Sequence, residues 1–404
     1  MSETKDNMPM LRFPEFCGEW SSKKGNEIFD SISNKEHNSD LPILAITQEY
    51  GAIPRNEIDY TVSVTDESIS SYKVVEIGDF IISLRSFQGG IEYSLYKGIC
   101  SPAYIILRPK IEIDRLFYKH YFKTYSYIQQ LNKKLEGIRD GKMVSYKYFS
   151  EIDLPFPSPS EQQKIANFLT FIDKHIQLLK EKRDTLDSYK KGVMQKLFSQ
   201  EIRFKDESGN NYSDWEEKML GEILFEHKTR NTDNKIIEVF SVAKHQGVVN
   251  QIEHLGRSYA SEDITNYKVV FPNDIVYTKS PTSDFPFGII KQNKSERKGV
   301  VSVLYAIFTP ENKNIGYLLD LYFSSSINTY NYLNPLVQKG AKNTMNISNE
   351  TFLQGAKILL PTNEEEQQKI ADFLSVIDAK ISICEEQIKQ SEEYKKGLLQ
   401  QMFV

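Results

Sequence analysis

Cysteine is scarce. The 404-residue chain carries three, Cys17, Cys100 and Cys384, and six histidines, none of them in a paired spacing with cysteine or acid. That excludes a disulfide framework and a zinc site, and leaves the thiols as buried apolar side chains. Long hydrophobic runs are missing too. The longest, over residues 300–308, is about half of what a spanning helix requires, so no membrane partner is expected. The first residues are polar, with no hydrophobic signal core, and a cytoplasmic address follows as the expectation. What the chain does have is 40% hydrophobic, 12% aromatic and 26% charged residues, the balance of a folded protein with room for two or three cores. A net charge of −5 argues, as an average, against nucleic acid, whose binders normally carry a basic footprint.

Catalytic motifs are equally thin. Asp153-Leu154-Pro155-Phe156 approaches the loop with which amino-methyltransferases hold a target amine, but Leu154 breaks it. Phe87-Gln88-Gly89-Gly90 departs from the glycine turn that admits S-adenosylmethionine, and no second methyltransferase element supports it. The stretch ending in Gly141-Lys142 is one residue short of a phosphate loop and lacks the hydroxyl that would hold magnesium. No Ser/His/Asp order and no metal cluster stands out. The chain is therefore expected to be non-catalytic, with no metal and no cofactor of its own.

The informative feature is a repeat. Residues 161–199 align without a gap on 366–404, with 18 of 39 positions identical. Glu161-Gln162-Gln163-Lys164-Ile165-Ala166 returns as Glu366-Gln367-Gln368-Lys369-Ile370-Ala371, and Tyr189-Lys190-Lys191-Gly192 as Tyr394-Lys395-Lys396-Gly397. Weaker matches precede them: Trp20 with Trp215, Tyr72-Lys73-Val74-Val75 with Tyr267-Lys268-Val269-Val270, and Asp79 with Asp274.

The repeated segments read as long helices. Ile165, Leu169, Ile172, Ile176 and Leu179, continued by Leu186, Val193 and Leu197, recur at alternating steps of three and four. Ile370, Leu374, Ile377, Ile381, Cys384 and Ile388 do the same, followed by Leu398 and Met402. Such spacing is a coiled-coil seam; Arg183, Lys190 and Lys395 interrupt it, and either weaken the coil or face a partner. Ser158-Pro159-Ser160-Glu161 reads as a capping box, with Asn363 and Glu366 repeating it. The Gln-Lys-Ile-Ala segments either contact a partner or cap the opposite helix. Tyr189 and Tyr394 read as end packing of the helix pair, with a docking patch as the other reading.

Between the helices the chain reads as mixed α/β. Strand-like runs lie at 79–84, 103–107, 274–278 and 300–308, and helix-like runs at 116–135 and 317–332. The expected fold class is α+β: two mixed α/β domains joined by two long helices packed as an antiparallel coiled coil, with an internal pseudo-twofold repeat. The expected divisions are 1–157, 158–200, 201–361 and 362–404. Helices of about 40 residues rise roughly 60 Å, so the expected form is a spacer with a module at each end.

Charge along the chain restores nucleic acid as a partner. Residues 110–149 hold nine Lys/Arg against four Asp/Glu, while 361–404 hold five against nine. Phosphate contact needs Lys and Arg, and base reading needs short polar side chains on loops. Arg139 and Lys142 in the first module share a spacing with Lys339 and Lys342 in the second, the latter joined by Asn343. Arg85 and Gln88 correspond to Lys279 and Ser280, and Thr47-Gln48 to Lys244-His245. These are the candidate DNA-contacting residues.

A variable module, then Glu-Gln-Gln-Lys-Ile-Ala-x-Phe-Leu-x-x-Ile-Asp and a long helix, performed twice, with Leu11-Arg12-Phe13-Pro14 near the start, resembles the specificity subunit of Type I restriction–modification enzymes. The resemblance implies that each module is a target-recognition domain reading one half of an asymmetric bipartite sequence in double-stranded DNA. It implies partners as well: two methyltransferase subunits and two restriction/translocase subunits. S-adenosylmethionine, ATP and magnesium would belong to those subunits. Two other readings stay open, an adaptor whose modules bind protein, and a self-sufficient methyltransferase or nuclease with degenerate motifs.

Overall fold

The computed structural model describes residues 7–37, 40–58, 69–133, 144–244, 246–339 and 345–404, with the backbone alone at 338, 339, 345 and 346. The chain divides into two units. One is Met1–Arg183 with Ile383–Val404; the other is Asp184–Ser382. Both divisions fall inside long helices, Pro159–Phe198 and Glu364–Gln401, so each unit owns the first part of one helix and the last part of the other.

The first unit is built on a four-stranded antiparallel sheet of β1 (Phe29–Ile32), β2 (Phe80–Ile82), β3 (Glu92–Tyr93) and β4 (Ile105–Pro109), in the order β1-β4-β2-β3. The second unit repeats that order with β5 (Leu224–Glu226), β6 (Ile275–Thr278), β7 (Ile289–Gln292) and β8 (Ala306–Pro310), arranged β5-β8-β6-β7. Side chains alternate across each strand. In the second unit Ile275 and Tyr277 join the main core with Phe308 and Phe352, while Val276 and Ile307 face Phe240 and Val301 on the other side. In the first, Phe29, Phe80 and Leu107 meet Phe117, Tyr118 and Phe122, and Ile81 and Ile106 meet Leu44 and Val75. Both sheet faces are therefore buried, under helices on one side and β-hairpins on the other.

Three sequence expectations need correction. The helix-like runs are each two helices: Arg115–Tyr121 then Tyr125–Asn132, and Lys313–Ser324 then Ser326–Leu333. Thr124 and Ser325 make both breaks, since their hydroxyls accept from the backbone N–H of Tyr127 and Asn328 and start a new helix. The run at 300–308 is two strands, Gly299–Val301 and β8, divided by a turn closed by the Tyr305 N–H to Ser302. And the thiols are not all buried: Cys100 and Cys384 are, and burial pushes the Cys100 thiol up to about 12, but Cys17 is exposed.

The seam positions Ile165, Leu169, Ile172, Ile176, Leu179, Ile370, Leu374, Ile377, Ile381 and Ile388 are all buried. They serve two partners at once. Ile165 to Ile176 share one core with Phe117 and Tyr121 of the module and with Leu398, Met402 and Phe403 from the end of the second helix. Ile370 to Ile381 do the same with Leu319 and Phe323, and with Leu197 from the end of the first helix. Within each unit the two helical parts run antiparallel: Asp173 pairs with Lys395 and Lys180 with Glu392 in the first, Lys190 with Asp378 in the second. The seam lysines thus meet aspartates on the facing helix, which corrects the expectation that Lys190 and Lys395 weaken the coil or face a partner.

His120 sits in the first core, 2% exposed, its Nε2 3.4 Å from the Thr170 hydroxyl. Burial pushes its pKa down from 6.5 to about 3, against the pull of Asp173 and with the help of Lys395 and Lys119. The unfolded chain takes up this proton near pH 6.5 and the folded chain does not. The stabilisation is fully present above pH 6.5 and is lost as pH falls from there toward 3, at roughly 1.4 kcal/mol per pH unit for this one group. His120→Gln is expected to flatten the loss of urea-unfolding stability between pH 7 and pH 5; an unchanged slope overturns the assignment to His120. Among the described residues no helix is long and apolar enough to cross a membrane.

Candidate nucleic-acid interface

The repeated Glu-Gln-Gln-Lys-Ile-Ala segment turns out to be the joint between module and helix. Arg12 donates through Nε and Nη2 to both carboxylate oxygens of Glu161, at 2.7 and 2.8 Å, and Arg203 does the same to Glu366 at 3.1 and 2.9 Å. Both glutamates are buried. Their backbone N–H groups donate to Ser158 and Asn363 as a capping box requires, but their side chains go to arginine and do not return to the cap, so half of the expected box is absent. Gln162 accepts from the Asp114 N–H and donates to the Pro157 carbonyl; Gln367 accepts from Asn312 and donates to Pro361. Phe168 and Phe373 stack edge-on against Phe13 and Phe204. The segment therefore clamps its own module, in place of the partner contact or opposite-helix cap expected from sequence. A signal was available: Leu11-Arg12-Phe13 returns as Ile202-Arg203-Phe204, ahead of each tryptophan.

With the modules anchored by that joint, their loops define a common edge. In the first unit the hairpin Leu44–Thr47/Gly51–Pro54 brings its turn against the short helix Ser86–Gly89, where the Gln48 amide donates to the Arg85 carbonyl at 3.2 Å. A Cβ on Gly89 would overlap the end of the Gln48 side chain, so the two lie in close approach. Asn132, at the end of its helix, donates to the Phe87 carbonyl at 2.8 Å, which brings the chain to this same edge just before the residues that include Arg139 and Lys142. Arg85 and Gln88 are exposed, and their side chains make no hydrogen bond to another described residue. Thr47 instead closes its own turn, donating to the Gly51 carbonyl and accepting from Tyr50 N–H.

The second unit repeats the convergence. Its hairpin Phe240–Ala243/Gly247–Asn250 carries Lys244, paired with Asp284 from the loop after β6. Lys279 turns inward, donating to the Ile347 carbonyl at 2.5 Å and to Asn349 at 2.9 Å; burial lowers its pKa, with Lys268 adding to the effect. It ties the loop to the chain after the hairpin of Gln338–Lys339 and Met345–Asn346. Ser280 next to it is exposed. Arg139, Lys142, His245, Lys342 and Asn343 lie outside the described residues, as does the side chain of Lys339. Gln48, Arg85, Gln88, Lys244 and Ser280 are brought to the two edges, while Thr47 and Lys279 are occupied in holding them. No cluster of His, Cys, Asp or Glu among the described residues could hold a metal ion.

Two α/β modules of one topology are thus each clamped to a long helix, and each presents converging polar loops. Residues 18–188 match the family described as Type I restriction modification DNA specificity domain. The putative type I restriction enzyme MjaX specificity subunit of Methanocaldococcus jannaschii is 28% identical over 177 residues, 43% of this chain and 39% of that one. The MjaIX specificity subunit of the same organism is 26% identical over 253 residues, 58% and 57% of the two chains. The chain spans about half the length of the curated relatives it matches. In fold it is similar to the crystal structure of the Type-I restriction-modification system S subunit from M. genitalium, with a TM-score of 0.58 and 14% identity over 98% of this chain and 99% of that one. The family match thus covers residues 18–188, less than half of the chain, and the likeness to the solved S subunit is one of fold.

Proposed function

We propose that this chain is the non-catalytic DNA sequence-specificity subunit of a Type I restriction–modification complex. Each module reads one half of an asymmetric bipartite target, and the long helices set the unread spacer and recruit the adenine methyltransferase and restriction subunits. The observation that carries this reading is the convergence, in both units, of the hairpin turn, the loop after the central strand and the approach to the basic segment at one edge. Polar loops gathered on a rigid sheet are what groove-edge readout needs. Because the loops of the two units differ in sequence, the target is asymmetric. The cofactors S-adenosylmethionine, ATP and magnesium belong to the partners, and the complex works in the cytoplasm.

Tyr189 and Tyr394 support the recruitment role. Both are more than half exposed, contrary to the end packing expected from sequence, and Gly192 and Gly397 have open space where a Cβ would stand. A mid-helix glycine costs about 1 kcal/mol, and packing within the chain does not explain two at equivalent places. The test of the whole reading is methylome sequencing of a host expressing the chain with a Type I methyltransferase subunit, against the methyltransferase alone. A new bipartite, asymmetric adenine-methylation motif is expected. Co-purification of the two proteins with no new motif would turn the reading toward a protein-binding adaptor.

A further inference from the structure

Two aspartates, one on each long helix, each hold three elements together. Asp173 takes Lys395 from the facing helix and Lys119, at 3.6 Å, from the module helix Arg115–Tyr121. Asp378 takes Lys190 from the facing helix and the Tyr317 hydroxyl, at 2.7 Å, from the module helix Lys313–Ser324. Lys294 adds to the second node, 3.8 Å from Asp378 and 2.7 Å from buried Asp320, with its ammonium over the Tyr317 ring. The two nodes are equivalent in position: Lys119 and Tyr317 each stand five residues past the N-cap of their helix, Asp114 and Asn312.

Those same N-caps are the residues bonded to Gln162 and Gln367. Besides the contact of His120 with Thr170 at 3.4 Å in the first unit and that of Asn314 with Gln368 at 2.9 Å in the second, each module helix is therefore attached to its long helix at two directional points common to both units. One is the glutamine, the other an aspartate eleven residues further on, about 16 Å along the helix axis. Between them lie apolar contacts of Phe117 and Tyr121 with Leu169 and Ile172, and of Leu319 and Phe323 with Leu374 and Ile377, which hold the pieces together without setting an angle. A single point of attachment allows a pivot. Two points do not.

We infer that Asp173 and Asp378 are positioning residues for target recognition: with Lys119 and Tyr317 they set the angle of each module on the helix pair, and thereby the number of unread bases between the half-sites. The inference rests on the proposed function, because it concerns the spacer of a bipartite target. In the first node burial pushes the Asp173 carboxyl up, but the Lys395 ammonium above all, with Lys119, outweighs it and keeps it below its ordinary value, so the node is charged at neutral pH.

The experiment compares methylomes of hosts carrying the full chain and a Type I methyltransferase subunit, for the unchanged sequence, Tyr317→Phe, Lys119→Met and Asp378→Asn. Tyr317→Phe removes one oxygen and leaves the ring seated. The unchanged chain is expected to give one spacer length, and the three variants to keep both half-sequences while adding sites whose spacer is longer or shorter by about one base pair, ~3.4 Å of duplex. Lys190→Met cuts only the link between helices at this node and is expected to lower thermal stability with the spacer unchanged. Variants that methylate fewer sites at the original spacer alone overturn the inference and leave the proposed function standing. An unchanged chain that yields no bipartite motif overturns both.

Discussion

Arg203→Ala is expected to destabilise the protein by about 3–5 kcal/mol, more than any ordinary surface substitution. Glu366 is fully buried, its carboxylate shared between the Arg203 guanidinium and the Trp215 indole N–H at 3.1 Å. Removing the arginine leaves a desolvated charge with one neutral donor. The buried pair is weak evidence for stability against an apolar replacement, but strong evidence against losing one partner alone. Arg203→Leu with Glu366→Leu is therefore expected to be milder than Arg203→Ala alone. Arg12→Ala should act alike in the first unit, where Glu161 is 2% exposed. Urea unfolding read by tryptophan fluorescence checks both, since Trp20 and Trp215 lie near the two joints. A loss below about 1 kcal/mol for Arg203→Ala would sink the claim that this pair seats the module.

Combining Arg85→Glu with Gln88→Ala is expected to cut methylation at the native target by about a hundredfold, because each well-made base or phosphate contact contributes about 1–3 kcal/mol. The sites still methylated should keep the second half-sequence and vary in the first. Arg85 and Gln88 suit this experiment because their side chains are exposed and make no hydrogen bond to the described residues, so the fold should not suffer with them. Lys279→Met is the contrast. Its ammonium holds the chain at Ile347 and Asn349, so its loss should appear in stability before it appears in the motif. Methylation of the unaltered motif at full extent by the Arg85/Gln88 double variant would remove this edge from the interface.

How much of this was legible in the sequence depends on the range of the interaction. The stripe from Ile165 to Leu179 announces itself because helical periodicity is local, and the repeat makes it visible twice. Its second partner was not legible: that Ile165 and Leu169 also close over Phe117 and Tyr121 depends on a module helix some fifty residues earlier. Glu161 was read as a capping residue because Ser158 stands three places before it, and the competing partner, Arg12, lies 149 positions away. By sequence Lys279 is a candidate DNA contact beside Ser280, yet its amine donates to the Ile347 carbonyl and to Asn349. Tyr189 and Tyr394 were read as packing because they are aromatic and repeated; repetition here marks exposed positions as readily as buried ones.

The crosswise pairing of Lys190 with Asp378 and Lys395 with Asp173 carries one more consequence, for the direction in which the helices meet. On each helix the lysine follows the aspartate by seventeen residues, about 25 Å of rise. Only when the helices run in opposite directions does each lysine arrive at the other's aspartate. Laid side by side in the same direction and in register, the two copies would set Lys190 against Lys395 in one apolar layer, with both aspartates far away. Two similar helices, which by their hydrophobic stripe alone could pair either way, thus carry a polarity code made of four side chains that opposes the wrong orientation.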